Sequence, residues 1–274
     1  MSNIAVLNNV DHADIKISVS DINSTSDNVN RCQIYASEIT ELQKEFPILI
    51  YRGEETESLQ LHAILGLEKN ENLFLSASGW TTRYVPALLA RGPFSIGYSK
   101  NDNGEPADPK ICLDMDDARV NSNEGEAVFM PMGGESQYLQ YVKKALQTIE
   151  TGAQYNHTLF TLIDELDLLE PVSIQIKLSN VEQVNLNNYY TINQQKLSAL
   201  EGDQLAKLNQ YGILSSLFFI LSSMGFITLS LNFPYVFAAY CLSFSTFSFP
   251  TPNNIHVCFL TRSLENGSFI AIDN

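Results

Sequence analysis

Residues Glu71–Phe94 read ENLFLSASGWTTRYVPALLARGPF and hold the only tryptophan of the chain, together with two arginines and two prolines. The apolar run Leu73–Leu75, followed by Ser78-Gly79, predicts a short strand that enters a tight turn. Trp80 comes directly after that turn. These residues stand in one short span among a dense set of apolar side chains, so we take it as the centre of the fold.

A short helix is predicted to follow the turn. Apolar side chains recur at helical spacing over residues 84–89. Pro86 suits the first turn of such a helix, because its missing N–H has no partner there. Gly92-Pro93 predicts the end of the helix, with glycine as the cap and proline as the stop. Phe94–Tyr98 then predicts the next strand.

Four side chains of this stretch are candidates for a ligand-binding site: Trp80, Arg83, Tyr84 and Arg91. An aromatic face beside guanidinium groups suits carboxylates, phosphates or planar rings. The alternative is structural. In that interpretation Trp80 fills the core and the two arginines offset part of the acidic excess of the chain.

The chain has 274 residues and a formal net charge of −15, which argues against unspecific binding to nucleic acid or to an anionic membrane. The charge is unevenly placed, since Leu208–Thr261 contains no Lys, Arg, Asp or Glu. A chain of this length can bury a substantial core as one large domain or two small ones.

The four cysteines lack the short spacing of a zinc or redox motif, so a reduced environment is expected. They are Cys32, Cys112, Cys241 and Cys258. The N-terminus has no basic segment followed by an apolar run, so no Sec-type signal peptide is predicted. We therefore expect a cytoplasmic protein, with the cell surface as the alternative.

Several short apolar runs predict strands. Strict alternation over Val172–Leu178 is the clearest of these signals, and Val181–Ile192 is its predicted hairpin partner. Ile48–Tyr51 and Leu59–Leu67 predict two further strands in hairpin-like succession, which favours a mostly antiparallel sheet. The remaining short strands are predicted at Ile4–Leu7, Ile15–Val19 and Ile111–Leu113.

Helices are predicted between these strands. Glu38–Phe46 has apolar residues at helical spacing and is closed by Pro47. After Gly133-Gly134, two apolar stripes predict either one bent helix or two helices in series, ending before Pro171. The sequence therefore predicts an α+β fold, in which a mostly antiparallel sheet accompanies a long helical segment and a C-terminal apolar helix.

The C-terminal part begins with two short helices, one capped by Asn193 and one over Asp203–Tyr211. Ile213–Leu231 then holds 19 uncharged residues, a helix of roughly 28 Å, which is near the minimum for crossing a bilayer. We predict a buried core helix, with a membrane span as the alternative. The apolar tail 233–274 has no clear period, so we predict an α+β domain over 1–232 with this atypical tail outside it.

No phosphate-binding glycine loop, zinc-peptidase motif or nucleophile elbow is present in the sequence. No metal and no cofactor is therefore predicted. Two sets of residues support an alternative enzymatic interpretation. His157 could pair with Asp164 as acid and base, and Asp114, Asp116 and Asp117 form an acidic cluster that lacks the glycine and distal glutamate of a calcium loop.

The order and spacing of several segments resemble the bacterial SapC family from about residue 10 to residue 230. These segments are Glu45-Phe46-Pro47-Ile48, Leu65-Gly66-Leu67, Glu71-Asn72-Leu73-Phe74, Trp80 with Arg83-Tyr84-Val85-Pro86-Ala87, Pro93-Phe94, Leu166–Pro171, Lys196-Leu197 with Leu200, and Tyr211-Gly212 through Met224-Gly225. One departure is Arg91-Gly92-Pro93-Phe94, where similar proteins usually read Arg-Tyr-Pro-Phe.

The resemblance implies a link to the bacterial surface layer, or to systems that modify or take up peptides and other nutrients. It names no reaction. Together with the aromatic and basic stretch, it predicts a non-enzymatic accessory or binding protein with a protein or peptide partner. The alternatives are an enzyme acting on a peptide or small metabolite, and a membrane-associated surface-layer component that uses the apolar C-terminal region.

Overall fold

The computed structural model describes residues 3–19, 27–54, 57–76, 79–98, 108–177 and 183–225. Within them the strands are β1 (Ile4–Val6), β2 (Lys16–Ile17), β3 (Arg31–Ile34), β4 (Ile48–Arg52), β5 (Leu59–Ile64), β6 (Leu75–Ser76), β7 (Gly79–Trp80), β8 (Phe94–Gly97), β9 (Lys110–Asp114), β10 (Val120–Asn121), β11 (Glu126–Ala127), β12 (Leu169–Lys177) and β13 (Gln183–Ile192). The helices are a 3-10 helix (Ala36–Glu38), α1 (Ile39–Leu42), α2 (Ala87–Ala90), α3 (Gln137–Glu165), α4 (Gln194–Ser198), α5 (Gly202–Gln210) and α6 (Ile213–Ser223).

The largest sheet has five strands in the order β12-β13-β4-β5-β3, and every neighbouring pair is antiparallel. The predicted hairpin of β12 and β13 is confirmed, with Leu169 opposite Ile192. Pro171 is accommodated because β12 lies at the edge of this sheet, where a missing N–H leaves no interior ladder bond unmade. The α+β class and the mostly antiparallel pairing are as predicted.

The larger hydrophobic core forms on one face of this sheet. It joins Ile50 and Leu61 of β4 and β5 to Ile163 of α3 and to Leu217 of α6, all fully or almost fully buried. Ser223 links α6 to β4, because its Oγ accepts a hydrogen bond from the Ile48 amide at 2.9 Å. The hydrophobic effect of burying these aliphatic side chains holds the helices on the sheet.

A second, smaller core lies beside two three-stranded sheets, ordered β1-β9-β8 and β10-β2-β11. Its buried side chains include Ile17, Phe94 and Leu113, which come from three different strands. Short strands cannot bury enough apolar surface alone, so these two sheets depend on a helix to cover them. That helix is α3.

Helix α3 is one continuous helix of 29 residues, which decides between the two predicted arrangements. Its first half contributes Leu139 and Val142 to the smaller core, and its second half contributes Leu159 and Ile163 to the larger one. The helix begins at an N-cap, because the Ser136 Oγ accepts a hydrogen bond from the Leu139 amide. One rigid element therefore bridges the two cores.

The central stretch of the sequence lies between these cores. The predicted strand before the turn corresponds to β6, which pairs with the unpredicted strand β7 in an antiparallel hairpin, with Leu75 opposite Trp80. Helix α2 has only four residues, because Pro86, which was predicted to lie in its first turn, is instead the N-cap, with φ −51° and ψ 133°. The predicted cap is confirmed, because Gly92 has a positive φ of 56°.

Two other predictions differ from the structure. Strand β3 was not predicted, although it forms the second edge of the largest sheet. The predicted helix Glu38–Phe46 is split into a 3-10 turn and α1, which ends at Leu42. Phe46 is nevertheless fully buried, and its ring packs edge-on against Phe74 at 4.6 Å. The apolar spacing identified the buried face but not the length of the helix.

The C-terminal helices follow the prediction where they are described. The Asn193 side chain caps α4 by accepting a hydrogen bond from the Lys196 amide, and Gly212 ends α5 with a φ of 69°. Helix α6 buries Ile213 and Ile220, as expected of a core helix. Among the described helices none has the length and apolar character of a membrane span. The end of the predicted 213–231 helix and the tail 233–274 lie outside the described residues.

Candidate functional site

A surface pocket with a volume of about 90 Å³ lies where the two cores meet, next to α2. Aromatic rings of Trp80, Tyr138 and Tyr141 line it, and Asp27 and Arg119 supply the charged groups. We call it the Trp80 pocket. Seams between packed units are common places for binding pockets, because neither unit fills the gap completely.

Trp80 reaches the pocket from the short β6–β7 hairpin. The side chain is half-buried and packs against the larger core, so it is anchored on one side. Its Nε1 donates a hydrogen bond to Asp27 Oδ2 at 3.4 Å. The two sequence-based interpretations of Trp80, packing and ligand contact, are therefore both compatible with its position.

Tyr138 and Tyr141 lie three residues apart on α3, so they share one face of the helix. The Tyr138 ring packs edge-on against Phe94 at 6.2 Å, which holds it against the smaller core. Tyr141 also lines the pocket and is 47% exposed. Burial raises the pKa of both tyrosines above the ordinary value, so both hydroxyls stay protonated at neutral pH.

Arg119 is fixed in place by Asp117. Its Nε and Nη2 donate to the two oxygens of the Asp117 carboxylate at 2.9 and 2.8 Å, a bidentate pair. These hydrogen bonds lower the pKa of Asp117 and raise that of Arg119, so both groups remain charged. The pairing leaves Nη1 as the part of the guanidinium that faces Gly92.

Gly92 leaves the wall of the pocket open. A methyl group built on this residue would lie 3.3 Å from Tyr138 Oη and 4.0 Å from Arg119 Nη1. Any side chain here would therefore enter the space between the two donors. This is the position at which the sequence departs from the Arg-Tyr-Pro-Phe pattern of similar proteins.

Of the four residues predicted to form the site, only Trp80 lines this pocket. Arg83 is exposed, and its backbone amide donates to both oxygens of Glu45. Arg91 donates from Nη1 to the backbone oxygen of Phe94, across the turn that follows α2. Arg83 and Arg91 therefore make local contacts outside the lining of the Trp80 pocket.

Tyr84, the fourth predicted residue, contacts a buried carboxylate instead. Its hydroxyl donates to Glu38 Oε1 at 3.2 Å, and the Ala87 amide donates to the same oxygen at 2.7 Å. The Tyr35 amide donates to Oε2 at 3.0 Å. Glu38 is only 1% exposed. Burial raises its pKa, and the three hydrogen bonds act in the opposite direction.

The residues proposed for the enzymatic alternative occupy other places. His157 and Asp164 are both exposed on α3. In the acidic cluster, Asp114 accepts from the Asp116 amide, and Asp117 holds Arg119. Over the described ranges, no group of three or more His, Cys, Asp or Glu side chains is arranged to hold a metal ion.

Sequence reasoning missed most of the pocket. In the sequence, Tyr138 belongs to the first apolar stripe that predicts α3, and no pattern singles out Tyr141, three residues later. Asp27 comes from a Ser-, Asn- and Asp-rich run that carries no pattern. Arg119 could have been identified as a candidate from the sequence, since it is the one basic residue between Lys110 and Lys143 in an otherwise acidic segment.

Comparison with known proteins gives one positive result. The model of the SapC family matches residues 7–229, which is most of the chain. The resemblance found in the sequence, from about residue 10 to residue 230, is confirmed. No curated protein and no solved structure gives a significant match.

Proposed function

The chain belongs to the SapC family, and on that premise we propose that it is a non-enzymatic binding protein with the Trp80 pocket as its recognition site. The observation that carries the proposal is the convergence of three aromatic side chains and one fixed arginine on a single pocket. Aromatic rings supply a large contact area at low entropic cost, and the guanidinium supplies an oriented donor.

The size of the pocket supports a partner of the protein or peptide kind. Pockets for drug-sized ligands have volumes of about 300–1,000 Å³, whereas the Trp80 pocket has about 90 Å³. That volume suits one side chain rather than a whole metabolite or cofactor. The rest of a peptide would then lie across the surrounding surface, next to the exposed part of Tyr141.

The family name associates such proteins with the surface layer. We extend the proposal to an accessory role, in which the protein presents or holds a peptide segment for a surface-layer system or for a system that modifies or takes up peptides and nutrients. The size and the aromatic lining of the pocket support this role.

Trp80 makes the proposal directly testable, because it is the only tryptophan. Protein labelled with 5-fluorotryptophan has one fluorine resonance, and that resonance reports on the pocket. We expect pools of N-acetylated hexapeptides to include some that shift this resonance in a saturable way. The tryptophan fluorescence of unlabelled protein should change over the same concentration range.

A matched pair of variants localises the effect. Tyr141 and Tyr155 lie on the same helix and are exposed to 47% and 49%, but only Tyr141 lines the pocket. Tyr141→Ala should weaken binding of the active peptides at least about tenfold, and Tyr155→Ala should leave it unchanged. Equal binding by the two variants, or no saturable shift with any pool, would exclude the Trp80 pocket as a recognition site.

A further inference from the structure

We infer that the Trp80 pocket binds an uncharged hydrogen-bond acceptor, the carboxamide of a glutamine or asparagine side chain presented by a partner peptide. This inference rests on the proposed function and adds the chemical class of the group that is bound. It differs from the carboxylate or phosphate that the sequence also allowed, because that expectation depended on the guanidinium groups of Arg83 and Arg91. Neither of these arginines lines the pocket.

Two donor groups of the pocket border the same open space. Asp117 occupies Nε and Nη2 of Arg119, which leaves Nη1 for another acceptor. The Cβ position of Gly92, which no side chain fills, lies 4.0 Å from this Nη1 and 3.3 Å from Tyr138 Oη. Among the residues that the structure describes, neither Nη1 nor the Tyr138 hydroxyl donates to an acceptor. A ligand oxygen that enters beside Gly92 would therefore meet two unused donors.

The Tyr138 hydroxyl is ready to donate before a ligand arrives. Burial raises its pKa above the ordinary value, so it keeps its proton at neutral pH. The edge-on contact with Phe94 at 6.2 Å holds the ring, so the direction of the hydroxyl is set by packing. A donor without an acceptor in a partly buried place costs free energy, and an acceptor on the ligand would recover it.

The charges around these donors oppose one another. After burial, which raises the pKa of Tyr138, the positive charge of Arg119 lowers it, and the carboxylates of Asp117 and Asp27 raise it. Arg119 is held in its bidentate pair with Asp117. Asp27 accepts from Trp80 Nε1 and is engaged in a further interaction.

This balance favours a neutral ligand. An acidic side chain at the two donors would be repelled by both carboxylates, and a basic side chain would be repelled by the guanidinium. Either ion would also lose hydration on entering the pocket. A carboxamide oxygen accepts from both donors without adding a charge.

The remaining lining suits the rest of such a side chain. Val85 and Leu89 give the pocket apolar walls for a short stem, and Trp80 and Tyr141 supply aromatic surfaces for a planar amide. The volume of about 90 Å³ suits a group of this size.

The test compares blocked pentapeptides, Ac-Gly-Gly-Xaa-Gly-Gly-amide, in which Xaa is glutamine, asparagine, norleucine, glutamate or lysine. Binding is followed by the Trp80 fluorine resonance and by fluorescence. The better of the two carboxamide peptides should bind at least about tenfold more tightly than the norleucine peptide, which has the same backbone carbonyls but no side-chain acceptor. It should also exceed the glutamate and lysine peptides about tenfold, and its binding should not change with salt concentration.

A matched pair of variants tests the hydroxyl. Tyr138→Phe keeps the ring against Phe94 and removes only the donor, so it should reduce the preference for carboxamide over norleucine at least about threefold. Its binding of the norleucine peptide should stay unchanged, which shows that the pocket is intact. Tyr155→Phe removes a hydroxyl from α3 outside the lining and should keep the full preference.

The outcomes separate the inference from the proposed function. If the norleucine, glutamate or lysine peptide binds as tightly as the better carboxamide peptide, or if Tyr138→Phe keeps the full preference, the inference is wrong and the pocket remains a recognition site. If propionamide matches the carboxamide peptides, the ligand is a free amide and the peptide-borne part fails. If none of the pentapeptides binds while some hexapeptide pools do, only the inference fails. If the pools are also silent, both fail.

Discussion

The Glu38 carboxylate accepts a hydrogen bond from the Ala87 amide at 2.7 Å, although 49 residues separate the two in sequence. Ala87 is the first residue of α2, so this buried carboxylate caps the helix that borders the Trp80 pocket. The same carboxylate binds the Tyr84 hydroxyl and the Tyr35 amide. One side chain therefore fixes the central stretch of the sequence against the larger core.

Replacing Glu38 should destabilise the fold strongly. Glu38→Ala leaves three donors without their acceptor, and the Ala87 amide is buried, so we expect a loss of about 3 kcal/mol in the free energy of unfolding. Glu38→Gln keeps one acceptor oxygen and should lose less. The measurement is urea denaturation followed by circular dichroism. Glu41→Gln is the control, since its pair with Lys44 is half exposed and contributes little.

Tyr84 is expected to act through structure rather than through ligand contact. Tyr84→Phe removes only the hydroxyl that donates to Glu38, which should cost about 1 kcal/mol of stability. Peptide binding at the Trp80 pocket should be retained, because Tyr84 does not line it. Denaturation and fluorescence titration on the same preparation check both statements. A Tyr84→Phe protein with wild-type stability and no peptide binding would contradict this prediction and show that Tyr84 contributes to recognition.

The regular elements were predictable where their periodicity was strong. β12 and β13 alternate over many residues, and the two apolar stripes of α3 extend over several turns. Pro86 and Gly92 also marked real boundaries, because their backbone preferences are local. β3 was missed because Arg31–Ile34 is a four-residue edge strand with a charged end, too short for its alternation to stand out from the preceding polar run.

The candidate site was predictable only in part. Trp80 is conspicuous as the single tryptophan, and it does line the pocket. Its neighbours Asp27 and Arg119 come from distant parts of the chain, where their backbone oxygens accept hydrogen bonds from the Asn72 side chain and the Ser18 amide. Arg83 and Tyr84 share a sequence neighbourhood with Trp80, but proximity along the chain does not determine which way a side chain points.

Gly92 should be sensitive to the smallest added side chain. Gly92→Ala places a methyl group 3.3 Å from Tyr138 Oη in the pocket and also forces alanine into a left-handed backbone conformation. We expect a stability loss of about 1 kcal/mol together with weaker peptide binding. Gly212→Ala is the matched control, since φ is 69° and no atom lies within 4 Å of the added group. It should lose similar stability and keep full binding.

Gly152 lies where α3 packs tightly against Tyr35 and the 3-10 helix. A methyl group there would lie 2.4 Å from the Tyr35 Cβ and 2.5 Å from Ser37 Oγ. Alanine is normally favoured over glycine inside a helix by about 1 kcal/mol, but this clash should reverse the sign and cost about 1–3 kcal/mol. Thermal denaturation checks the direction. Thr151→Ala, at the exposed neighbouring position, should instead be neutral or slightly stabilising.

The stability of the fold should depend on pH through His62. This ring is 7% exposed, stacks on Tyr51 at 5.0 Å and lies 3.1 Å from Tyr189 Oη through its Nδ1. Burial first, and then the positive charge of Arg31, lower the pKa of His62 to about 4. In the unfolded chain a histidine has a pKa of about 6.5.

Between these two values the unfolded chain binds a proton that the folded protein does not. The contribution of His62 to stability is therefore complete above about pH 6.5 and is lost as the pH falls toward about 4, by an amount on the order of 3 kcal/mol. Urea denaturation of the wild type and of His62→Gln over this range measures the effect. The difference in unfolding free energy between them should shrink as the pH falls. His157→Gln removes an exposed imidazole and serves as the control, and a constant difference for His62→Gln would place the titrating group elsewhere.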